Sequence, residues 1–176
     1  MFFKLKLKRA LRTIITLATG VSLTFGSVAA FADDSFSGRL ISRAMDLVGV
    51  KYRFGGTSPT TGLDCSGYVQ YVFQNAVGVT LPRVASAQSH VGERVVSQSD
   101  MRPGDLVFFN TRGFAASHVG IYVGNNTFIH SPRSGSSVRF DSMNNSYWSA
   151  RFNGARRVSA SSSRANAFGS NAPLGM

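Results

Sequence analysis

Cysteine and histidine are scarce in this chain, and their scarcity limits where chemistry can occur. The 176 residues include one cysteine and three histidines. A single cysteine cannot form a disulfide within the chain, so Cys65 is an apolar core residue, an intermolecular link or a reactive thiol. The three imidazoles are the side chains whose ordinary pKa lies near neutrality, which makes them the candidate general bases.

A long uninterrupted apolar run is also missing. The run over residues 14–28 is broken by Gly20, Ser22 and Gly26 and is shorter than the ~20 residues of a membrane span. A basic stretch precedes it, and the small residues Ala30 and Ala32 follow it. Residues 1–32 are therefore predicted to be a cleaved secretory signal peptide rather than a membrane anchor. The cleavage region contains no cysteine, so we expect no lipidated N-terminus and no stable membrane insertion after cleavage.

Acidic side chains are few, with eight against 19 basic ones and a formal charge of +11. Without residues 1–32 the chain keeps 14 basic and 8 acidic side chains, a formal charge of +6. This balance suits polyanionic surroundings such as wall polymers, and it is equally compatible with a charge that only keeps the protein soluble. The arginines are scattered rather than clustered, which argues, together with export, against nucleic acid as a partner.

The remaining chain is long enough for one domain and too short for two. This domain is predicted to cover residues 33–158. Residues 159–176 are rich in serine, alanine, asparagine and glycine and are predicted to be a disordered tail.

The hydrophobic periodicity changes along this domain. Apolar residues at three- and four-residue steps predict a helix over 35–48 and a second helix from Asp64 to a stop at Gly78. An irregular loop is expected over 51–63, and a short third helix from Pro82 to about residue 91. Short apolar segments then predict strands at 106–109, 118–123, 127–131, 138–140 and about 151–158. Helices followed by antiparallel strands indicate an α+β fold, with the helices packed on one face of a sheet.

Cys65 is predicted to lie in the first turn of the second helix. Asp64, directly before it, is a residue type that caps helix N-termini through its carboxylate. The free amides and the dipole of a first turn stabilise negative charge, so we expect a lowered pKa for the Cys65 thiol. The alternative is a cysteine that only fills space beside Gly67, and position alone does not decide between the two.

Two histidines are predicted to share one face of a β-hairpin. If residues 124–126 form a three-residue loop, the register places His130 opposite Gly120 and diagonal to His118. Diagonal neighbours lie about 7–8 Å apart at the backbone, within reach of rings. A two-residue loop would instead place the rings on opposite faces. One imidazole facing the thiol, with a second polar group behind it, is the arrangement that thiol catalysis requires.

Other uses of these residues are weaker alternatives. His90 lies in a polar stretch and is predicted to be a surface residue. Zinc bound by Cys65, His118 and His130 is disfavoured because the sequence has no closely spaced ligand pair such as C-x-x-C or H-x-x-x-H. We therefore expect no metal.

Four segments of the chain resemble a known family. They read GVKYRFGGTSPTTGLDCSGYVQYVF, LPRVASAQ, RPGDLVFF and SHVGIYVGNNTFIHSP, in this order over residues 49–132. They closely resemble the NlpC-type family of bacterial cell-wall cysteine endopeptidases, and the similarity extends from the first helix to the last strand. The resemblance implies a papain-like fold, in which N-terminal helices pack on a five- to six-stranded antiparallel sheet.

The resemblance also implies catalytic roles. It makes Cys65 the nucleophile, His118 the general base and His130 the polar residue that orients the base. Tyr52 is implied to hold the oxyanion, with a simple packing role as the alternative.

Substrate contacts follow from the same resemblance. Asp64 and Ser66 are implied to contact the amine or the peptide backbone of the substrate, although Asp64 could equally be only a helix cap. Arg83 matches the L-P-R segment of the family without an assigned chemical role.

The implied activity is hydrolysis of peptide bonds in the stem peptides of peptidoglycan, without a metal or an organic cofactor. Two bonds compete: the diaminopimelyl–D-alanine cross-link between stems and the γ-D-glutamyl–diaminopimelate bond within one stem. The small size of the chain favours the first. An acyltransferase or amidase that uses the same thiol, and a non-catalytic wall-binding protein, are the alternatives. We expect a monomer that is exported to the periplasm or the cell wall.

Overall fold

The computed structural model describes residues 28–160. Most of the helical residues in this part of the chain precede most of the strands, as the sequence predicts. The helices are α1 (Val28–Asp46), α2 (Cys65–Val77), α3 (Ala85–Gln88) and α4 (Ser146–Ser149). The strands are β1 (Thr57–Ser58), β2 (Gly62–Leu63), β3 (Glu93–Val95), β4 (Leu106–Phe109), β5 (His118–Gly124), β6 (Thr127–His130), β7 (Arg139–Ser142) and β8 (Phe152–Arg157). A 3₁₀ turn, Gln98–Asp100, lies between β3 and β4.

Six of these strands form one antiparallel sheet in the order β3-β8-β4-β5-β6-β7. The strands β1 and β2 pair separately as a small antiparallel hairpin. Helices α1 and α2 contact each other, and α2 contacts the central strand β5. The predicted α+β class and the expected antiparallel sheet of five to six strands are therefore confirmed, with six strands present.

The second helix is confirmed at both ends. The Asp64 carboxylate accepts a hydrogen bond from the Gly67 amide at 2.7 Å, which satisfies one of the free donors of the first turn. Gly78 ends the helix in the left-handed region at φ 71°, where glycine carries no steric cost.

The bounds predicted for the first helix are wrong. It begins at Val28 rather than residue 35, in a stretch that contains alanines, which favour helix strongly. It ends at Asp46 rather than residue 48, because the chain turns there and the Gly49 amide donates to the Val138 carbonyl at 2.9 Å.

Smaller differences have local causes. The segment over 51–63 is not wholly irregular, since it contains the β1–β2 hairpin. The third helix stops at Gln88 instead of residue 91. Strand β3 was not predicted, because its exposed glutamate and arginine carry no apolar pattern. Strand β7 extends to Ser142, two residues beyond the predicted end.

The β5–β6 turn has the length of one predicted alternative, two residues, and the strand register of the other. Asn125 and Asn126 form a two-residue turn, both at positive φ, which asparagine tolerates better than most residues. The predicted three-residue loop is therefore wrong. However, a bulge between Tyr122 and Gly124 takes up the extra residue, and Ile121 pairs with Ile129. This is the predicted register, and it keeps both histidines on one face.

The two faces of the sheet carry different cores. Alternate strand residues such as Leu106, Val119 and Ile129 pack against the face of α1 and α2. The intervening residues point to the opposite face and form a second cluster around Phe109 and Trp148. The members of this second cluster are Met101, Val107, Phe109, Tyr122, Phe128, Met143, Trp148 and Ala155.

The predicted signal peptide and C-terminal tail lie largely outside residues 28–160 and stay predictions. Among the described residues, no helix combines the length and the apolar character needed to cross a membrane.

Candidate active site

Cys65 is the first residue of α2, where the β2 strand turns into the helix. Behind it, the backbone of Gly67 lies directly against the Gly56 carbonyl. A Cβ atom at Gly67 would collide with this oxygen, so only glycine fits without a backbone shift. The close approach of loop and helix holds the sulfur at the helix start, half-buried and facing a cavity.

The pKa of the Cys65 thiol is raised, contrary to the sequence-based expectation. Burial raises it most, and the neighbouring Asp64 carboxylate adds to the effect. Hydrogen bonds to the sulfur from the backbone amides of Val119 and Ser66 lower it only in part. The prediction of a lowered pKa was wrong because it counted the helix amides and omitted burial. The thiol therefore needs a base to remove its proton.

The Asp64 carboxylate is engaged within the protein. It accepts hydrogen bonds from Gly55 N (3.1 Å), Ser66 Oγ (3.3 Å) and Gly67 N (2.7 Å). Arg83 adds two more, at 3.0 Å to Oδ1 and 2.6 Å to Oδ2, and also donates to Ser66 Oγ at 2.9 Å. Since a carboxylate offers about four lone-pair positions, this one is saturated. No role for Arg83 follows from the sequence. In the structure its guanidinium forms an ion pair with the Asp64 carboxylate, next to Cys65.

His118 and His130 lie together, as the register predicts. His118 Nε2 and His130 Nδ1 are 2.7 Å apart, and the two rings are nearly perpendicular. Gly120 provides the space, because a Cβ there would lie 2.7 Å from the Phe128 ring and 3.2 Å from His130 Cβ. With Nε2 engaged, Nδ1 is the ring nitrogen of His118 that is left without a hydrogen-bond partner among the described residues, in the cavity that His118 shares with Cys65.

Both imidazoles are buried and uncharged at neutral pH. Burial lowers the pKa of His118 well below its ordinary value, and the neighbouring His130 and the Arg112 cation lower it further. Burial also lowers the pKa of His130, although the Asp141 carboxylate acts in the opposite direction. A neutral imidazole has a free lone pair and can accept a proton.

Sequence reasoning missed two residues that surround this pair. Asp141 Oδ2 lies 2.9 Å from His130 Nε2. The Trp148 ring stacks on His118 at 5.5 Å between centroids, and its Nε1 donates to Asp141 Oδ2 at 3.1 Å. The pairing of β6 with β7 places Arg139 opposite His130. Asp141 lies two residues further along β7 and therefore points to the same face as His130. For Trp148 the sequence gives no signal except that it is the one tryptophan of the chain.

Two cavities meet at the thiol. One of about 470 Å³ contains Cys65, His118 and Trp148 in its walls. The other, of about 500 Å³, lies toward Arg83 and Phe114 and also includes Cys65. Cys65 and His118 therefore line one cavity, and a peptide chain passing the sulfur could occupy both cavities.

Tyr52 lines both cavities as well. The Arg112 guanidinium, which lies 5.6 Å from the centre of the Phe54 ring, acts electrostatically on the Tyr52 hydroxyl. Burial and the nearby Cys65 raise the pKa of Tyr52, so the hydroxyl keeps its proton and remains a donor. Tyr52 therefore lines the same two cavities as Cys65 and keeps a hydrogen-bond donor there.

The third histidine, His90, is exposed, as predicted. The described residues contain no group of three or more His, Cys, Asp or Glu side chains arranged to hold a metal ion.

A thiol at a helix N-terminus, an imidazole at the start of a central strand and helices packed on an antiparallel sheet define the papain-like class of fold. Residues 49–157 match the model of the NlpC/P60 family. This match covers more than half of the chain, and the chain belongs to the NlpC/P60 family.

Named relatives agree with this assignment. The chain is 48% identical over 120 residues to the murein DD-endopeptidase MepS/murein LD-carboxypeptidase of Escherichia coli (strain K12), covering 68% of this chain and 62% of the relative. It is 45% identical over 119 residues to the gamma-DL-glutamyl hydrolase of Bacillus subtilis (strain 168), covering 67% of this chain and 28% of the relative. The chain thus spans less than two thirds of either relative.

Solved structures show the same fold. The crystal structure of an NlpC/P60 family protein from Bacillus cereus ATCC 10987 aligns with a TM-score of 0.64 at 33% sequence identity. The alignment covers 69% of this chain and 39% of the other.

Proposed function

We propose that the protein is a cysteine endopeptidase that hydrolyses stem peptides of peptidoglycan, with Cys65 as nucleophile, His118 as general base and His130 as the residue that orients the base. The observation that carries the proposal is the shared cavity of Cys65 and His118, together with the 2.7 Å contact between His118 Nε2 and His130 Nδ1. The named relatives, which act on murein or on glutamyl bonds, support the substrate class.

The reaction follows from these positions. His118 Nδ1 accepts the proton of the Cys65 thiol as the sulfur attacks the carbonyl carbon of the scissile bond. The negative charge on the carbonyl oxygen is stabilised by the Cys65 amide, which belongs to the first turn of α2, and by the Tyr52 hydroxyl. The imidazolium returns its proton to the departing amine, which leaves an acyl-enzyme. Water activated by His118 then releases the acid and the free thiol.

Charge in the cavity suits an acidic peptide. Within the described part of the chain, the ionisable side chains lining it with Cys65 and His118 include Arg112, Arg133 and Arg139, against the carboxylate of Asp141. Stem peptides carry free carboxylates along their length. A cationic wall next to the thiol therefore increases the local concentration of such a substrate.

The cross-link bond, diaminopimelyl–D-alanine, is our choice between the two candidate bonds. The saturated Asp64 supports it, because a carboxylate that is fully bonded to the protein is poorly placed to bind the free amine of a trimmed stem. Of the two contacts predicted for Asp64 and Ser66, this saturation argues against the one to the substrate's amine, and the one to its peptide backbone stays a prediction. In the structure both groups hold Arg83.

Digestion of defined muropeptides tests the proposal. Cross-linked dimers and uncross-linked monomers are incubated with wild type and with Cys65→Ala, and the products are identified by mass spectrometry. We expect monomers from the dimers with wild type and no product with Cys65→Ala. Products cleaved within one stem would reassign the bond, and acyl-transfer products would indicate a transferase. Binding without any cleavage by wild type would leave a wall-binding protein.

Export and a monomeric state are part of the proposal. We expect the secreted protein to begin at Asp33, without lipid, and to be found in the periplasm or at the wall. N-terminal mass analysis of the secreted form checks the cleavage site, and light scattering checks the mass in solution. An uncleaved N-terminus would contradict the signal-peptide prediction.

A further inference from the structure

On the side away from His118, the His130 ring is hydrogen-bonded to one carboxylate oxygen. Asp141 Oδ2 accepts from His130 Nε2 at 2.9 Å and from Trp148 Nε1 at 3.1 Å. Arg139 donates to the same oxygen from Nε at 3.3 Å and from Nη2 at 3.0 Å. Asp141 lies on β7, next to the strand of His130, and its side chain is 22% exposed. It is therefore held by three side chains and not left as a free surface charge.

This oxygen fixes the protons on both rings. Burial raises the pKa of Asp141, but the hydrogen bonds from His130 and Arg139 outweigh it and hold the pKa at about 2. The ionised carboxylate accepts only, so His130 Nε2 carries a hydrogen. His130 is neutral, so its Nδ1 has a lone pair and accepts from His118 Nε2 at 2.7 Å. His118 Nδ1 is then left unprotonated.

Trp148 fixes the orientation of the same groups. Its ring lies 5.5 Å from the His118 ring at an interplanar angle of 29°, and 4.9 Å from the His130 ring at 89°. It belongs to α4, whose start is capped by Asn145 through a bond to the Tyr147 amide at 2.9 Å. One side chain thus covers His118 and also donates to the carboxylate behind His130.

We infer that Asp141 and Trp148 are positioning residues of this active site: they fix the tautomers of His130 and His118 so that the lone pair of His118 Nδ1 faces the Cys65 thiol. The inference rests on the proposed function for its meaning in catalysis. A carboxylate and an indole thereby join the three proposed catalytic residues, Cys65, His118 and His130. Both added groups act through the imidazoles and do not touch the reacting atoms. A neutral His118 with its hydrogen on Nδ1 has no lone pair directed at the sulfur and cannot accept its proton.

The carboxylate also sets the charge on the pair. The groups that act electrostatically on His118 are His130, Arg112 and Asp141, and those that act on His130 are Asp141 and Arg139. Among these, Asp141 is the group that favours the imidazolium. Without it the imidazolium formed during the attack loses its counter-charge, so proton transfer becomes harder.

Asp141→Asn is the principal test, because it keeps the shape and removes the charge. Asp46→Asn is the matched control, since Asp46 lies at the end of α1 and pairs with Arg43 at 3.4 Å. We expect Asp141→Asn to lower kcat roughly 10- to 100-fold, by analogy with the loss of a carboxylate behind a metal-bound imidazole, with little change in KM. The acid limb of kcat/KM should shift to lower pH, because the carboxylate no longer raises the pKa of His118. If Asp141 had a purely structural role, kcat/KM would fall at every pH and the acid limb of its pH profile would not move.

Trp148→Phe separates the indole N–H from the ring. It retains an aromatic wall on His118 and loses the hydrogen bond to Asp141. We expect a smaller fall in kcat than for Asp141→Asn. If Asp141→Asn did not fold, Trp148→Phe and Asp141→Glu would carry the test, and Asp141→Glu should retain more activity than a neutral residue.

Nitrogen-15 NMR of labelled histidine reads the tautomers without any substrate. In wild type we expect His118 and His130 both protonated on Nε2. In Asp141→Ala we expect a mixture of tautomers at His130 and at His118. Wild-type tautomers in Asp141→Ala, or an unmoved acid limb in Asp141→Asn, would overturn the inference. Because the NMR result does not depend on cleavage, a failure of the peptidase assay in wild type would count against the proposed function alone.

Discussion

The thiol side and the imidazole side of the site are built in different ways. The thiol side, residues 52–67, is one continuous segment in which Asp64, Cys65 and Gly67 are fixed by a helix start. The imidazole side draws His118, His130, Asp141 and Trp148 from three strands and a short helix. The first depends on local geometry, whereas the second depends on long-range strand pairing.

The pKa shifts on the two sides have the same main cause, burial, and opposite directions. Burial raises the pKa of Cys65, and burial lowers the pKa of His118 and His130. Burial therefore keeps the thiol and the two imidazoles uncharged at rest. In the proposed mechanism, charge separates between the thiol and His118 only when a substrate arrives. Because the two sides are built from different segments, we expect that each can be damaged independently of the other.

The largest effect should come from the thiol itself. Cys65→Ala removes the nucleophile, and we expect complete loss of muropeptide cleavage. The free energy of unfolding should change by about 1 kcal/mol or less, because the sulfur is only half-buried. Urea denaturation and the cleavage assay measure the two quantities. Residual cleavage above the uncatalysed rate would contradict a thiol mechanism.

The next largest effects should come from the two imidazoles, with a greater loss of activity for His118 than for His130. His118→Ala removes the group that moves the proton, and we expect a loss of kcat/KM of about 10³-fold. His130→Ala leaves the base in place without its partner, so a loss of roughly 10- to 100-fold is expected. Initial rates on a cross-linked dimer give both numbers. Equal losses in the two variants would mean that His130 does more than orient His118.

A change at Gly67 should disturb the thiol side alone. In Gly67→Ala the new Cβ meets the Gly56 carbonyl, and we expect a destabilisation of about 1–3 kcal/mol with a fall in activity. Gly38→Ala is the control, since nothing lies within 4 Å of its Cβ position on α1 and a slight gain in stability is expected. Equal stability of the two variants would show that the loop moves freely away from α2.

The smallest effect should be a pH dependence of stability from the imidazole side. The pKa values of His118 and His130 are lowered in the folded protein, so above their ordinary value of 6.5 neither state takes up a proton. Below pH 6.5 the unfolded chain binds protons that the folded one excludes, and stability falls as the pH falls. His118→Gln should therefore show a shallower decline between pH 7 and pH 5 in urea denaturation. Parallel curves for the two proteins would contradict buried neutral rings.

The two sides also differ in how far the sequence could predict them. The helix start at Asp64-Cys65 and the shared face of His118 and His130 follow from capping and register, and the structure confirms both. The family and the α+β fold are confirmed as well. The catalytic roles themselves stay predictions.

What the sequence could not predict depends on contacts between distant segments. The pKa of Cys65 is set by burial, which no local pattern reports. The saturation of Asp64 needs Arg83, 19 residues away. The places of Asp141 and Trp148 depend on the exact end of β7 and on the four-residue α4, both too short for a periodicity to define.

The central claim is that His118 takes the proton of Cys65, and alkylation of the thiol tests it most directly. The chain has one cysteine, so the rate of modification by iodoacetamide, followed by mass spectrometry, reports Cys65 alone. The account predicts that His118 takes the thiol proton as the sulfur attacks iodoacetamide, so wild type is modified faster than His118→Ala near neutral pH. In His118→Ala the thiol should react slowly until the pH exceeds its raised pKa. The same rate–pH curve for both proteins would contradict the account.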